Sequence, residues 1–368
     1  MAARTPDRSS FRDPFLWLLV LATAALQWFA ADPGRVERRY SQGLYPGIGR
    51  AFRAVFGRLP FSFGDVLYFA AGLFLVLRIL RLVRWAFRRE LRGHVHTRAF
   101  LRTAKVVLIV YLLFQVCWGL NYSRQGIAAQ ARLQPEASDT ARLRALADLL
   151  QERLCTWGDR VDSVRRLQLN DHRLLFNRAV AAYASAQRQL PFLEYRRPSV
   201  KPSLYGPVAH LFGFSGYYNP LTGEAQVHTG YPLFMQPFVT CHEIGHQLGY
   251  ARENEANFAG FLAARNSGDP DFIYSAYFEM YLYTLRELAR TDPWATVLLR
   301  RAAHPRVRSD YKVYRDYLLQ KQNAMEPLVS KFYDGYLRFN NQEHGLESYD
   351  EVVQWLLAYL RKQGSAAL

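Results

Sequence analysis

The chain has 368 residues, half of them hydrophobic and only 21% charged, and this composition excludes a mainly disordered protein. The net charge is +16, but the excess lies in residues 1–105, which hold 18 basic and 6 acidic side chains. Because these charges separate apolar stretches, they indicate membrane topology and exclude nucleic acid as the expected partner.

Three apolar runs in the first third of the chain predict membrane-spanning helices. Residues 15–31 and residues 106–123 contain no charged side chain, and Trp118 and Tyr122 of the latter run are placed like an interfacial belt. Residues 61–80 contain Asp65 and Arg78, so this run spans only if the two side chains reach opposite interfaces. We therefore expect a membrane domain over residues 1–123, with spans at about 15–31, 61–80 and 106–123.

The basic residues between the second and third apolar runs predict the orientation of the chain in the membrane. Arg78–Lys105 carries nine basic residues and one acidic residue, Glu90, so the positive-inside rule places it in the cytoplasm. With three spans, everything after Tyr122 lies outside. The expectation is a multi-pass membrane protein, in contact with the lipid bilayer, with an extracytoplasmic soluble part. Six arginines in residues 32–60 oppose this orientation.

Beyond residue 124 the pattern changes to amphipathic segments typical of a soluble domain. Leucines at three- and four-residue steps predict helices over Asp139–Trp157 and Asp171–Leu190. Together with the proline-rich segment that ends at Pro207, they predict a helical connector region over residues 124–207.

The last part of the chain, residues 208–368, predicts a mostly helical domain with a small sheet. The turn-type sequence Asn219–Gly223 lies between two short segments, Leu211–Tyr218 and Glu224–His228, and predicts a hairpin. Further helices are expected over residues 271–290, 308–339 and 348–362. The predicted fold class is a mainly α membrane protein with an α+β soluble domain.

The segment His242-Glu243-Ile244-Gly245-His246 is an HExxH motif. Residues four apart on a helix face the same side, so both imidazoles can bind one Zn²⁺ while Glu243 takes a proton from its bound water. A catalytic zinc needs a third protein ligand and an open position. Glu253 and Glu255 follow seven and nine residues after His246, and Gly249 can end the helix so that a second helix returns one carboxylate.

The segment Glu253-x-x-Ala256-Asn257 resembles the Glu-x-x-Ala-Asp/Asn helix that supplies the third zinc ligand in gluzincin-type metalloproteases. The resemblance implies one Zn²⁺ per chain, held by His242, His246 and Glu253, with Asn257 orienting a ligand histidine. Glu255 stays open as the alternative ligand, because the separation of seven residues is shorter than in thermolysin-like relatives.

The chain as a whole resembles an uncharacterised family of bacterial multi-pass membrane proteins. The likeness is carried by the N-terminal spans, the HExxH helix, and the segments Trp118–Tyr122, Gly216–Gln226 and Ser348–Tyr349. It implies a membrane-anchored, zinc-dependent, peptidase-like protein with a zincin-like catalytic domain over residues 208–368.

The leading interpretation is a hydrolase, a membrane metallopeptidase acting on a peptide or protein substrate that is membrane- or envelope-associated. Tyr217, Tyr218 and His228 are candidate substrate-binding residues that could polarise the scissile carbonyl. Two alternatives stay open: a non-catalytic membrane scaffold with a structural or vestigial zinc site, and a zinc amidase that acts on a cell-envelope amide. A structural site would close with a fourth ligand such as Cys241 or Glu255.

Overall fold

The fold is given by a computed structural model that describes residues 13–87, 93–135, 138–206, 214–321, 326–340 and 351–364. The chain is mainly helical with a small mixed sheet. The helices of the first half are α1 Pro14–Ala30, α2 Pro33–Arg35, α3 Tyr45–Phe56, α4 Phe63–Phe87, α5 Gly93–Cys117, α6 Ile127–Gln130, α7 Thr140–Gly158, α8 Ser163–Leu167 and α9 His172–Ala186.

The strands are β1 Val200–Pro202, β2 Gly216–Asn219 and β3 Glu224–Val227. The helices that follow them are α10 Gln236–Gln247, α11 Glu253–Arg265, α12 Pro270–Thr291, α13 Pro293–Ala302, α14 Pro305–Lys321, α15 Glu326–Phe339 and α16 Glu351–Gln363.

Two described helices are long and apolar enough to cross a membrane. They contribute Phe63–Arg84, with mean hydropathy 2.1, and Ala99–Cys117, with mean hydropathy 1.8. A third span results if α1 and the following segment Pro33–Phe56, which meet at an angle of 92°, count as one bent pair. The apolar helices coincide with the three runs of the sequence, although α1 alone has only 17 residues.

Helices α1 and α5 run in the same direction. Lys105 pairs with Asp13 at the start of α1 at 2.7 Å, and the amide of Gln27 near the end of α1 donates to the hydroxyl of Tyr111, further along α5. Antiparallel neighbours would show the opposite order of contacts. This arrangement is the one that the first and third of three consecutive spans would adopt.

The third apolar helix ends six residues earlier than predicted, because α5 ends at Cys117 instead of Ser123. Gly119–Ser123 forms a 3₁₀ turn. Trp118 and Tyr122, which the sequence placed in an interfacial belt, are buried with 5% and 4% exposure. They pack against each other and, through Trp118, against Tyr218 of the sheet.

One hydrophobic core extends from Ile127 to Tyr359 and joins the predicted connector region to the last part of the chain. Helix α7 begins at Thr140, and the carboxylate of its N-cap, Asp139, accepts the Arg142 amide at 2.7 Å. Every residue of α11 except its last is buried, and Phe258 in its middle packs edge-on against Trp355 and Tyr359 of α16.

The sheet has the order β1-β3-β2, with β1 parallel and β2 antiparallel to β3. The predicted hairpin is confirmed: Gly223 closes the turn between β2 and β3 with φ +68°, a conformation that glycine adopts without strain. Residues 211–213 of its predicted first segment lie outside the described residues. Within the described sheet, β2 is an edge strand.

Helices α14 and α15 cover residues 308–321 and 326–339 of the helix predicted over residues 308–339, and residues 322–325 between them lie outside the described residues. Helix α13, which starts at Pro293, was not predicted. Of the predicted last helix, residues 348–350 lie outside the described residues.

Candidate metal centre

The HExxH motif lies on α10, which is buried along almost its whole length. The helix ends at Gln247 with Leu248 as its C-cap, and Gly249 follows with φ +87°, so the predicted left-handed glycine is confirmed. The amide of Tyr250 bonds back to the carbonyl of Gly245 at 3.2 Å. This tight turn reverses the chain, and α11 begins at Glu253.

Two glycines allow α10 and α11 to approach each other closely. A Cβ at Gly260 would lie 2.9 Å from the backbone nitrogen of His242, and a Cβ at Gly245 would lie 3.3 Å from the Cα of Ala256. Larger residues would push the two helices apart. The contact therefore places the first residue of α11 beside the histidines of α10.

His242, His246 and Glu253 bring their donor atoms together, all within 4.8 Å of one another. Nε2 of His242 lies 3.3 Å from one carboxylate oxygen of Glu253, and Nε2 of His246 lies 3.7 Å from the other. Two ligands at about 2.1 Å from a tetrahedral Zn²⁺ lie about 3.4 Å apart, so these separations fit a shared ion. Cys241 is buried and lies outside this group of donors.

The surroundings orient both imidazoles. Nδ1 of His246 lies 2.7 Å from the carbonyl of Tyr250, a bond that leaves Nε2 to face the carboxylate. Burial lowers the pKa of His246 to about 4. Burial also acts to lower the pKa of His242, but hydrogen bonds to Glu253 and Asn257 and the charges of Glu243 and Glu253 raise it to about 9.

Glu243 lies beside the donors without belonging to the group. Burial raises the pKa of Glu243 to about 8, and the charge of Glu253 acts in the same direction. Its Oε2 is buried and has no hydrogen-bond partner among the described residues. Its Oε1 lies against Gly216, where a Cβ would come within 2.5 Å.

The other candidate ligand, Glu255, faces away from the histidines. Its Oε1 lies only 1.8 Å from the position that a Cβ would take on Gly126, so the carboxylate packs on the backbone ahead of α6. Burial raises the pKa of Glu255 to about 7, against the charges of Arg252 and Arg124. The structure therefore brings Glu253, and not Glu255, to the two imidazoles.

The predicted substrate-binding residues have other contacts. The hydroxyl of Tyr217 donates to Asp65 and lies 2.8 Å from Ser203 Oγ. The hydroxyl of Tyr218 lies 3.2 Å from that of Tyr45, and burial raises the pKa of Tyr218 well above its usual value. His228 is buried, and its ring packs against Gly230. None of the three belongs to the group of donors.

The carboxyl end of α10 is capped by side chains from the N-terminal third of the chain. Trp118 Nε1 donates to the carbonyl of His246 at 3.3 Å, and both Tyr45 and Arg53 donate to the carbonyl of Gln247, at 3.1 and 3.2 Å. The last carbonyls of a helix have no partners within it, so Tyr45 and Arg53 satisfy the carbonyl of Gln247. Trp118 adds a second bond to the carbonyl of His246, which also accepts the Gly249 amide at 2.9 Å.

The amino end of α4 docks on the sheet. The amides of Phe63 and Gly64 donate to the buried carboxylate of Glu224, at 3.2 and 2.6 Å, in the manner of an anion at a helix N-terminus. Asp65 has 1% exposure and accepts the Leu204 amide at 2.7 Å. The sequence predicted that Asp65 would reach a membrane interface, whereas its carboxylate is enclosed by the soluble part.

Sequence reasoning missed the residues that assemble the centre. The one signal that the sequence offered is the presence of glycines inside predicted strands and helices, which indicates close backbone approach. These glycines are Gly216, Gly245 and Gly260. Trp118 and Asp65 were interpreted as interfacial residues because each borders an apolar run.

A family model described as "Protein of unknown function (DUF3810)" matches residues 40–357. Because the match spans most of the chain, including α4, α5 and the HExxH helix, the chain belongs to this family. The comparisons with curated proteins and with solved structures found no match.

Proposed function

We propose that the protein is a membrane-anchored, zinc-dependent metallopeptidase in which Glu243 activates the attacking water. The observation that carries the proposal is the convergence of His242, His246 and Glu253 beside a glutamate that is not itself one of the donors. Three protein donors of the His/His/carboxylate kind are the set found at catalytic zinc sites. The family description names no activity and does not bear on this proposal.

The donor set suits Zn²⁺ in chemistry and in spacing. His242, His246 and Glu253 would hold the ion, and among the described residues the group has no fourth protein donor, which leaves a position for water. When bound, the ion would polarise a carbonyl oxygen and lower the pKa of a bound water. The bond from His246 Nδ1 to the carbonyl of Tyr250 would keep Nε2 unprotonated for the metal.

Glu243 would act as the general base. Its Oε2 is buried without a partner among the described residues, so a water held next to the donors would supply the missing hydrogen bond. The carboxylate would take a proton from that water as it attacks the carbonyl, and would then pass the proton to the leaving amine. Burial raises the pKa of Glu243, which makes its carboxylate a stronger base and helps the first of these steps.

Strand β2 would hold the substrate backbone. It is an edge strand of the described sheet, and its first residue, Gly216, touches Glu243. An extended peptide can add to such an edge through main-chain hydrogen bonds, which require no particular substrate sequence. This gives a role to β2 that does not depend on the hydroxyls of Tyr217 and Tyr218.

The membrane part of the proposal comprises three spans in the bacterial inner membrane and an extracytoplasmic soluble part. The parallel contacts of α1 and α5 and the two apolar helices support three crossings. The nine basic residues of Arg78–Lys105 favour a cytoplasmic loop. Of the opposing arginines in residues 32–60, Arg53 is buried and donates to backbone carbonyls, so it has a structural role.

The test is metal content and proteolysis of the purified full chain in detergent, compared with Glu243→Gln. Glu243→Gln keeps the shape of the side chain but cannot accept a proton. We expect about one zinc per chain in both proteins, and cleavage of a degenerate peptide library that falls on the order of 10²–10⁴-fold in the variant. Zinc bound tightly with no cleavage by either protein would favour the scaffold with a structural site.

A further inference from the structure

The donors lie next to the end of the apolar helix α5. The apolar window ends at Cys117, and the ring of the next residue, Trp118, has its centroid 6.1 Å from that of His246. With a metal–nitrogen distance of about 2 Å, an ion on His246 would lie on the order of 10 Å from the first residue beyond the span. The catalytic centre is therefore close to the level where α5 leaves the apolar layer.

The start of α4 gives the same level independently. The backbone amide of Gly64, the second residue of this apolar helix, donates to Glu224. A Cβ on Gly64 would have no room, because it would lie 2.4 Å from the side-chain nitrogen Nδ2 of Asn219 in β2. Asp65 accepts the hydroxyl of Tyr217, and Gly216 beside it touches Glu243. Two neighbouring residues of β2 therefore contact the proposed base and the first turn of a membrane helix: Gly216 contacts Glu243, and Tyr217 contacts Asp65.

Exposed apolar side chains surround this junction. Leu204, whose amide bonds to Asp65, has 51% exposure, Leu221 in the turn after β2 has 38%, and Phe61 just before α4 has 42%. Large apolar side chains at the edge of a membrane helix suit contact with the headgroup and acyl boundary. They place the junction of α4 and β2 at the lipid surface.

We propose that the substrates are polypeptides anchored in the same membrane, cleaved in the segment directly beside their anchor. The inference rests on the proposed peptidase function and adds the substrate class. An extended chain advances about 3.3 Å per residue, so a distance of about 10 Å corresponds to three residues. A substrate paired with β2 reaches the bilayer within a few residues of the scissile bond, whereas a bond deep in a soluble domain would have to be drawn to the lipid surface.

The first experiment maps cleavage sites in cells that make the full chain, by labelling protein N-termini in wild type and Glu243→Gln at equal protein level. We expect N-termini at least tenfold more abundant in wild type, and positions within about ten residues of a span or lipid anchor. Glu243-dependent N-termini spread through soluble domains would overturn the inference and leave the peptidase proposal standing. The absence of any Glu243-dependent N-terminus would overturn both.

The second experiment measures the effect of distance directly. The mapped cleavage sequence is attached to a lipid anchor through linkers of about three, ten and thirty residues and incorporated with the full chain into phosphatidylethanolamine–phosphatidylglycerol vesicles. We expect the shortest linkers to be cleaved at least tenfold faster than the longest and than the free peptide. Equal rates would overturn the inference. Cleavage of the free peptide in detergent shows separately that the enzyme is active.

Discussion

Gly216 and Glu243 are in direct contact across the boundary between β2 and α10. A Cβ on Gly216 would lie 2.5 Å from Oε1 of the glutamate and 2.8 Å from the carbonyl oxygen of Gln226 on the neighbouring strand. Contacts this short do not occur, so either the carboxylate or the strand would have to move. Because glycine has no side chain, Gly216 thus allows the proposed base and the proposed substrate strand to lie in contact.

Gly216→Ala is expected to lower kcat/KM by about 10²-fold, since displacing a catalytic group by about 1 Å has effects of this size. Zinc content should stay at the wild-type level, because the atoms that an added Cβ on Gly216 would meet first belong to Glu243 and Gln226 and not to the three donors. Activity assays and metal analysis on the same preparation check both statements. Wild-type activity in the alanine variant would mean that Glu243 is not held in this position during catalysis.

The HExxH helix α10 was predictable because the sequence signals for it are local. The spacing of His242 and His246 and the turn at Gly249 depend on residues next to one another in the chain, and the hairpin at Asn219–Gly223 follows from its own turn sequence. The contacts that connect this helix to Trp118 and the edge strand to α4 join residues 128 and 152 positions apart. No periodicity encodes such pairs, since they depend on how separate helices pack.

Gly260→Ala is expected to separate α10 from α11 and weaken the metal site. The added methyl group would meet the backbone of His242 at 2.9 Å, and overpacking of this kind costs about 1–3 kcal/mol. We expect a lower unfolding midpoint and reduced zinc occupancy. Gly335→Ala is the matched control, because this glycine of α15 has nothing within 4 Å of an added Cβ. Equal zinc binding by the two variants would contradict the role of Gly260.

Glu253→Ala should reduce zinc occupancy tenfold or more, an effect expected when a ligand is lost. Glu255→Ala should have a much smaller effect on zinc, because its carboxylate packs against Gly126 and not against the histidines. Metal analysis after dialysis against a weak chelator distinguishes the two. The reverse order would make Glu255 the ligand and would require a different path of the chain after Gly249.

The buried pair of Arg124 and Glu37 is expected to stabilise the junction between the N-terminal region and the soluble part. The two side chains are 2% and 6% exposed and lie 2.6 Å apart, and Arg124 also donates to the carbonyl of Gly249 at 3.0 Å. Arg124→Met would leave the buried Glu37 carboxylate without its charged partner and with only neutral donors such as Gln42 and Gln130, and the loss of one member of a buried ion pair costs about 3–5 kcal/mol. Thermal unfolding in detergent should show a large loss of stability, partly restored by Arg124→Met combined with Glu37→Gln. No restoration would mean that the bond to Gly249 dominates.

The bond between Tyr217 and Asp65 is expected to hold the substrate strand, because it joins β2 to the first turn of α4. Tyr217→Phe should raise KM several-fold while zinc content stays unchanged, since the variant loosens β2 without touching the donors. Tyr205→Phe is the matched control: its hydroxyl bonds at 2.8 Å to the backbone carbonyl of the same Asp65, but Tyr205 is not part of β2. If α4 only anchors the protein in the membrane, Tyr217→Phe and Tyr205→Phe should have the same KM and kcat. A KM effect confined to Tyr217→Phe, measured on the peptide identified by N-terminal mapping, would tie the membrane helix to substrate binding.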